Sequence, residues 1–157
     1  KGKTCVGSGN LLMESVHVAH DAFVGNDCII SNGTKLAGEI IIDDHAIISA
    51  NVLMHQFCRV GGYTMVGGGT RFSQDIPPYT ICAREPVAYC GLNLVGLRRR
   101  GFSNELIENI HNAYRIIYQG GVPLNEALQK VREEVPASPE IDYIIEFIEN
   151  SKRGFVH

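Results

Sequence analysis

With 157 residues, 45% of them hydrophobic, and a formal net charge of −3, the chain is long enough for one sizeable core or for a repeat array with an appendage. That charge gives no overall basic field for nucleic acid or a membrane surface, and neither an apolar run of about 18 residues nor a leader pattern is visible. The five cysteines, Cys5, Cys28, Cys58, Cys82 and Cys90, are scattered without a CxxC pair, which argues against a disulfide framework or zinc finger. A cytoplasmic, soluble protein without stable membrane insertion is therefore expected. The opening KGKTCVGSGN already lies inside a repeat, so the chain reads as a piece of something longer.

The repeat has a period of six. Stepping forward from Val6 gives Leu12, Val18, Val24, Ile30, Leu36, Ile42, Ile48, Met54, Val60, Val66 and Phe72, all apolar, and the residues that follow them are mostly small. Six fits neither a helical stripe nor a continuous strand. It fits a left-handed parallel β-helix, in which each hexad makes one flat side and three hexads make one coil. Strand alternation turns the residue two before each apolar position inward as well, and Ala22, Cys28, Thr34, Ile40, Ala46, Val52, Cys58 and Thr64 suit a narrow core. Gly and Asn are expected at the corners, where a tight turn needs a left-handed backbone. Residues 1–76 are thus assigned to coils. The paired prolines of SQDIPPYTI break the period after Phe72, and residues 77–101 are read as an irregular connection. Residues 102–157 read as a helical domain. Its first helix follows a Ser103 cap and buries Leu106, Ile107, Ile110, Ala113, Tyr114 and Ile117, and a third opens at Ser138 and Pro139.

The 18-residue coil turns sequence spacing into stacking. His17 and His20 flank the inward Val18 and point outward; His17 stacks on Lys35, His20 on Gly38 and then Gln56, and Asp21 on Glu39. His55 lies beside Gln56. One outer edge therefore gathers three histidines, a carboxylate, an amide and a glycine backbone, whereas His45 and His111 read as ordinary core or surface residues. An imidazole is suited to take a proton from a hydroxyl near neutrality, Asp21 to orient it, and the Gly38 N–H to hold an oxyanion. No cysteine or GxSxG serine falls in this column, so direct attack by an acceptor hydroxyl is simpler than a covalent acyl-enzyme.

The segments HVAHDAFVGNDC, LAGE, MHQFCRVG, MVGGGT, QDIPPY and GLNLVGLRRRGFS, in this order, closely resemble the UDP-N-acetylglucosamine O-acyltransferases, which open lipid A synthesis. The resemblance implies a homotrimer with active sites between subunits. A 3-hydroxyacyl group would pass from acyl carrier protein to the 3-hydroxyl of UDP-N-acetylglucosamine, with no cofactor beyond the carrier's phosphopantetheine. It implies His20 as general base, Asp21 as its support and Gly38 as oxyanion donor. His17, His55 and Gln56 would hold the sugar nucleotide, Asn93 and Arg100 its nucleotide portion, and Arg99 would face the carrier. Gly68 matches a position that sets acyl length, and a glycine there implies about fourteen carbons or more, at ~0.8 kcal/mol per buried methylene. Two departures stand out. Glu39 replaces a histidine common in the family, and the family's N-terminal coils, with a substrate-contacting lysine, are missing, which implies weaker assembly and sugar binding for the chain alone.

Three rival readings lead elsewhere. A β-helical carbonic-anhydrase-like enzyme would recruit His17, His20 and His55 to zinc. A sibling transferase would acylate an amine, and a non-catalytic scaffold would leave the polar column without a task.

Overall fold

The computed structural model describes residues 2–157. Twelve two-residue strands stack on three faces. The first face carries β1 (Cys5–Val6), β4 (Phe23–Val24), β7 (Ile41–Ile42) and β10 (Arg59–Val60). The second carries β2 (Leu11–Leu12), β5 (Ile29–Ile30), β8 (Ile47–Ile48) and β11 (Met65–Val66). The third carries β3 (His17–Val18), β6 (Lys35–Leu36), β9 (Leu53–Met54) and β12 (Arg71–Phe72). Every pair among them is parallel with an 18-residue offset, as in His17 opposite Lys35 and Phe23 opposite Ile41. The molecule is thus a parallel β-helix followed by helices, as the period demands.

From β4 onward the second residue of each strand fills the prism, whereas Val6 and Leu12 in the first coil are exposed. Val24, Ile30, Leu36, Ile42, Ile48, Val60 and Val66 are fully buried, together with Cys28, Ile40, Ala46, Val52 and Cys58 from the alternate inward position. Each turn between faces places one residue in the left-handed region, at every sixth position from Gly9 to Gly69. The expectation of Gly and Asn there fails at most corners: Ser15, Asp21, Asp27, Glu39, His45, Phe57 and Tyr63 all hold φ between 55° and 68°. The cause lies in the ladder. The N–H of Asp27, Glu39, His45, Phe57 and Tyr63 each donates to a carbonyl 19 residues earlier. A left-handed L-residue costs roughly 1–2 kcal/mol, and a backbone hydrogen bond between coils returns about 1 kcal/mol of that.

The array does not end at Phe72. Ile76 bridges Val60, and β13 (Thr80–Ala83) pairs in parallel with β11, Met65 opposite Ile81, so one further coil forms with a 16-residue offset. The two-residue shortening hides the period from a search in sixes. Nor is the stretch 77–101 irregular. It contains β13, an antiparallel partner β14 (Ala88–Leu92) and a short helix α1 (Leu94–Arg99).

Three longer helices follow: α2 (Asn104–Gln119), capped by Ser103 Oγ; α3 (Leu124–Glu134); and α4 (Pro139–Glu149), capped by Ser138 Oγ. They share a second core built around Ile110, Ala113, Tyr114, Val131, Ile144 and Phe147. Polar ties fasten it to the coils. Tyr114 donates its hydroxyl to the Pro78 carbonyl, and the Tyr143 hydroxyl bonds Asp43 while accepting the Gly62 N–H at 2.8 Å. Asp43 also takes a forked contact from Arg59 at 2.8–3.1 Å, and that guanidinium lies over the Phe147 ring. The chain's end returns as Phe155 bridges Asp75, and Val156 enters the coil core.

Candidate active site

His20 stands at the corner between the third and first faces, directly after the outward His17 and inward Val18 of β3. Its Nδ1 meets Asp21 Oδ2 at 3.0 Å. Asp21 occupies the left-handed corner position, and its other oxygen accepts the N–H groups of Gly2 and Lys3. The hydrogen bond to His20, followed by the Gly2 N–H, holds the Asp21 carboxyl below its ordinary range. A carboxylate fixed in this way by the backbone can hold the ring in one orientation.

With Nδ1 turned to Asp21, Nε2 is left above Gly38. A Cβ built on Gly38 would come within 2.5 Å of Nε2 and 2.6 Å of Cε1. Gly38 is therefore buried beneath the imidazole rather than openly exposed, because its missing side chain makes the seat for the ring. The Gly38 N–H has no hydrogen-bond partner among the described residues. At the equivalent corner positions Ser8 and Asn26 the N–H donates to the side chain 18 residues on, which directs the Gly38 N–H toward the coil of Gln56. Glu39 completes the corner, its carboxylate within 4.8 Å of the His20 and Asp21 polar atoms. Among the described residues this is the one group with converging metal-type ligand atoms, and neither His17 nor His55 belongs to it. The geometry does not bring together the trio that the zinc reading needs.

Beside this corner a groove of about 780 Å³ runs along the third face. His17, Lys35, Leu53 and Arg71 line it from the four strands, His55, Gln56, Ser73 and Gln74 from the corner, and Glu85, Pro86 and Val87 from the β13–β14 turn. Arg71, Gln74 and Glu85 were not legible as site residues from motifs. Counting 36 from Lys35 finds Arg71, but no count reaches Glu85, which arrives through the shortened coil. Cys58 sits inside the same corner, and burial pushes its thiol up to about 11, which leaves almost no thiolate near neutrality.

The remaining predicted residues lie on other corners. Gly68 stands between the second and third faces, exposed, without a positive φ, and with only ordinary contacts awaiting a Cβ, the nearest being the Ala50 carbonyl at 3.5 Å. Asn93 lies between the first and second faces. It is buried and engaged internally, donating to the Tyr63 carbonyl at 3.1 Å and capping α1 through the Gly96 N–H. Arg99 and Arg100, at the end of α1, are exposed. His45 stacks on Tyr63 at 4.7 Å, and its Nδ1 is buried without a hydrogen-bond partner among the described residues, so it is not the fully satisfied histidine expected.

A sequence profile described as UDP N-acetylglucosamine O-acyltransferase, domain 2, matches residues 75–156. An acyl-[acyl-carrier-protein]–UDP-N-acetylglucosamine O-acyltransferase from Aliivibrio salmonicida is 39% identical over 156 residues, covering 99% of this chain and 60% of that protein. Among solved structures, LpxA of Bacteroides fragilis, a UDP-N-acetylglucosamine acyltransferase, is 73% identical with a TM-score of 0.93, covering 94% of this chain and 58% of its own. LpxA of Acinetobacter baumannii is 37% identical, again with a TM-score of 0.93, covering 97% and 59%. The chain spans about three fifths of the length of these relatives.

Proposed function

The chain belongs to the UDP-N-acetylglucosamine O-acyltransferase family, and from that membership we propose that the protein transfers a 3-hydroxyacyl group from acyl carrier protein to the 3-hydroxyl of UDP-N-acetylglucosamine, the step that opens lipid A synthesis. One observation carries the chemistry: His20 is anchored through Nδ1 on a backbone-held Asp21, with Nε2 above a glycine whose N–H is unpartnered.

His20 Nε2 removes the proton from the acceptor hydroxyl as its oxygen attacks the thioester carbonyl. The new C–O bond produces a tetrahedral oxyanion, and the Gly38 N–H donates to it. Collapse breaks the C–S bond, and the imidazolium returns its proton to the departing phosphopantetheine thiolate. Asp21 stabilises the imidazolium and needs no protonation of its own. The protein supplies no cofactor in this scheme, since the reactive thioester comes with the donor. His17, His55 and Gln56 line the groove beside the base and suit contacts to the sugar nucleotide. Gly68 leaves room for a long acyl chain, and nothing in the backbone requires a glycine there.

We further propose a homotrimer with sites shared between subunits. In one chain His20, Gly68 and the Asn93–Arg100 segment occupy three different corners of the prism. A three-fold assembly of triangular prisms can bring one chain's His20 edge against another corner of its neighbour. Outward apolar residues support this packing: Phe23 and Ile41 on the first face, Leu11 and Met65 on the second, each 39–51% exposed. No helix among the described residues is long and apolar enough to cross a membrane. A cytoplasmic location suits water-soluble substrates of this kind.

The test is acyl transfer from 3-hydroxyacyl-acyl carrier protein to UDP-N-acetylglucosamine by the full-length protein and by His20→Ala. A folded mutant should lose about 10²–10⁴-fold in kcat, the usual contribution of a general base. Retained turnover would move the base elsewhere.

A further inference from the structure

The third face differs from the other two in what it points outward. Its four strands present His17, Lys35, Leu53 and Arg71, where the second face presents Leu11, Ile29, Ile47 and Met65, and the first Cys5, Phe23, Ile41 and Arg59, whose one cation is already paired with Asp43. On a chain of net charge −3, two fixed cations are thus concentrated in one groove. Lys35 and Arg71 sit two coils apart, roughly 10 Å at the usual strand spacing, with the apolar Leu53 as floor between them. Both side chains are long enough to converge above that floor. Lys35 Nζ makes one contact, to the Ser15 carbonyl at 2.9 Å, which leaves ammonium protons free. The Arg71 guanidinium has no ion-pair or hydrogen-bond partner among the described residues, although Glu85 lines the same groove.

Neither cation has a part in the proton transfer. Removing one from an exposed sheet surface leaves no buried polar group unpaired, so the fold does not require them. Nor does a solvated charged face account for the walled setting, closed at the far end by Glu85, Pro86 and Val87 and bordered at the catalytic corner by His55 and Gln56.

We propose that Lys35 and Arg71 form a phosphate-binding subsite that holds the phosphate ester of a substrate while its reacting group lies against His20. Arg71 gives a planar fork for two oxygens and Lys35 a point charge for another. Glu85 opposes the anion from the far wall and limits how deep it enters. The subsite rests on the acyl-transfer reading above. That reading offers two phosphate sources, the diphosphate of the sugar nucleotide and the phosphodiester of the carrier's phosphopantetheine, and the geometry fits the shared chemistry of both.

The measurement is steady-state kinetics of wild type, Lys35→Ala, Arg71→Ala and the double variant, each substrate varied in turn, with calorimetric binding of UDP and of inorganic diphosphate alongside. Each single change should lower kcat/KM roughly tenfold through KM for one substrate, and the double change by about the product, as expected for charge-assisted contacts. A KM effect confined to UDP-N-acetylglucosamine assigns the sugar diphosphate, and one confined to the acyl carrier assigns the phosphodiester. Arg71→Lys should recover part of the loss, which a mere folding defect would not allow. Unchanged KM for both substrates, with unchanged UDP and diphosphate binding, overturns the subsite. If wild type transfers no acyl group yet binds diphosphate in a Lys35- and Arg71-dependent manner, the acyl-transfer reading falls and the subsite stands.

Discussion

Two glycines show how differently the same residue serves. Gly38 is required by what lies on it: a methyl group there would collide with the His20 ring at 2.5 Å, so the imidazole would have to leave its seat. Gly38→Ala should therefore cost activity about as severely as loss of a general base, about 10²-fold or more, with a melting temperature close to wild type. An active Gly38→Ala enzyme would mean that the ring sits elsewhere during turnover. Gly68 has no such neighbour. Gly68→Met should leave a folded, active enzyme whose preference moves to shorter acyl chains, each lost methylene contact worth ~0.8 kcal/mol. Acyl-chain competition reads this directly, and an unmoved preference removes Gly68 from the groove. That His17, His20, Asp21, Gly38 and Gln56 gather along one edge could be read from the sequence, because an 18-residue coil makes stacking a matter of counting. The sequence could not announce that Asn93 turns inward to cap α1, since an exposed binder and a buried cap are the same amide in a row of letters.

Among elements, the junction of coils and helices depends on a few polar contacts. Tyr143 of α4 reaches both Asp43, which is already held by Arg59, and the Gly62 N–H, and burial together with the Asp43 charge raises its hydroxyl pKa well above the ordinary tyrosine value. It is therefore a neutral donor throughout the physiological range. Tyr143→Phe keeps the ring and strands two partners, which should lower unfolding stability by about 1–3 kcal/mol. Urea unfolding followed by far-UV circular dichroism checks this, and an unchanged midpoint would show that water replaces the hydroxyl without loss. The coils themselves were legible from Val6 to Phe72 because burial on a six-residue period leaves a regular mark. The final coil and the β13–β14 hairpin were not, since a coil shortened by two residues shifts every later inward position out of phase.

For the whole molecule, the decisive property is that one chain holds the proposed site in separate parts. A His20→Ala chain and an Arg100→Ala chain, each impaired alone, should recover about a quarter of wild-type turnover when co-assembled at equal ratio, because a quarter of the interfaces then pair two intact edges. Sedimentation should show a trimer in both preparations. Recovery absent from a well-mixed trimer would confine the site to one subunit and refute the shared edge. The family, the β-helix and the helical cap could all be read from the sequence. The corners of His20 and Gly68 follow from counting by 18, whereas the place of the Asn93–Arg100 segment in the proposed site required the structure, because it follows the shortened coil.

The corner ladder, in which the left-handed residues from Asp27 to Gly69 each donate to a carbonyl 19 positions earlier, also governs how this architecture can change. Groups on one edge are separated by whole coils, so their distances come in steps of roughly 4.8 Å. Adjusting a cleft by an ångström cannot be done by inserting a residue, which would throw all subsequent corners out of alignment. It has to come from exchanging one outward side chain for a longer or shorter one. Substrate range in such a scaffold is therefore graduated coarsely by its backbone and finely by single substitutions on a fixed lattice.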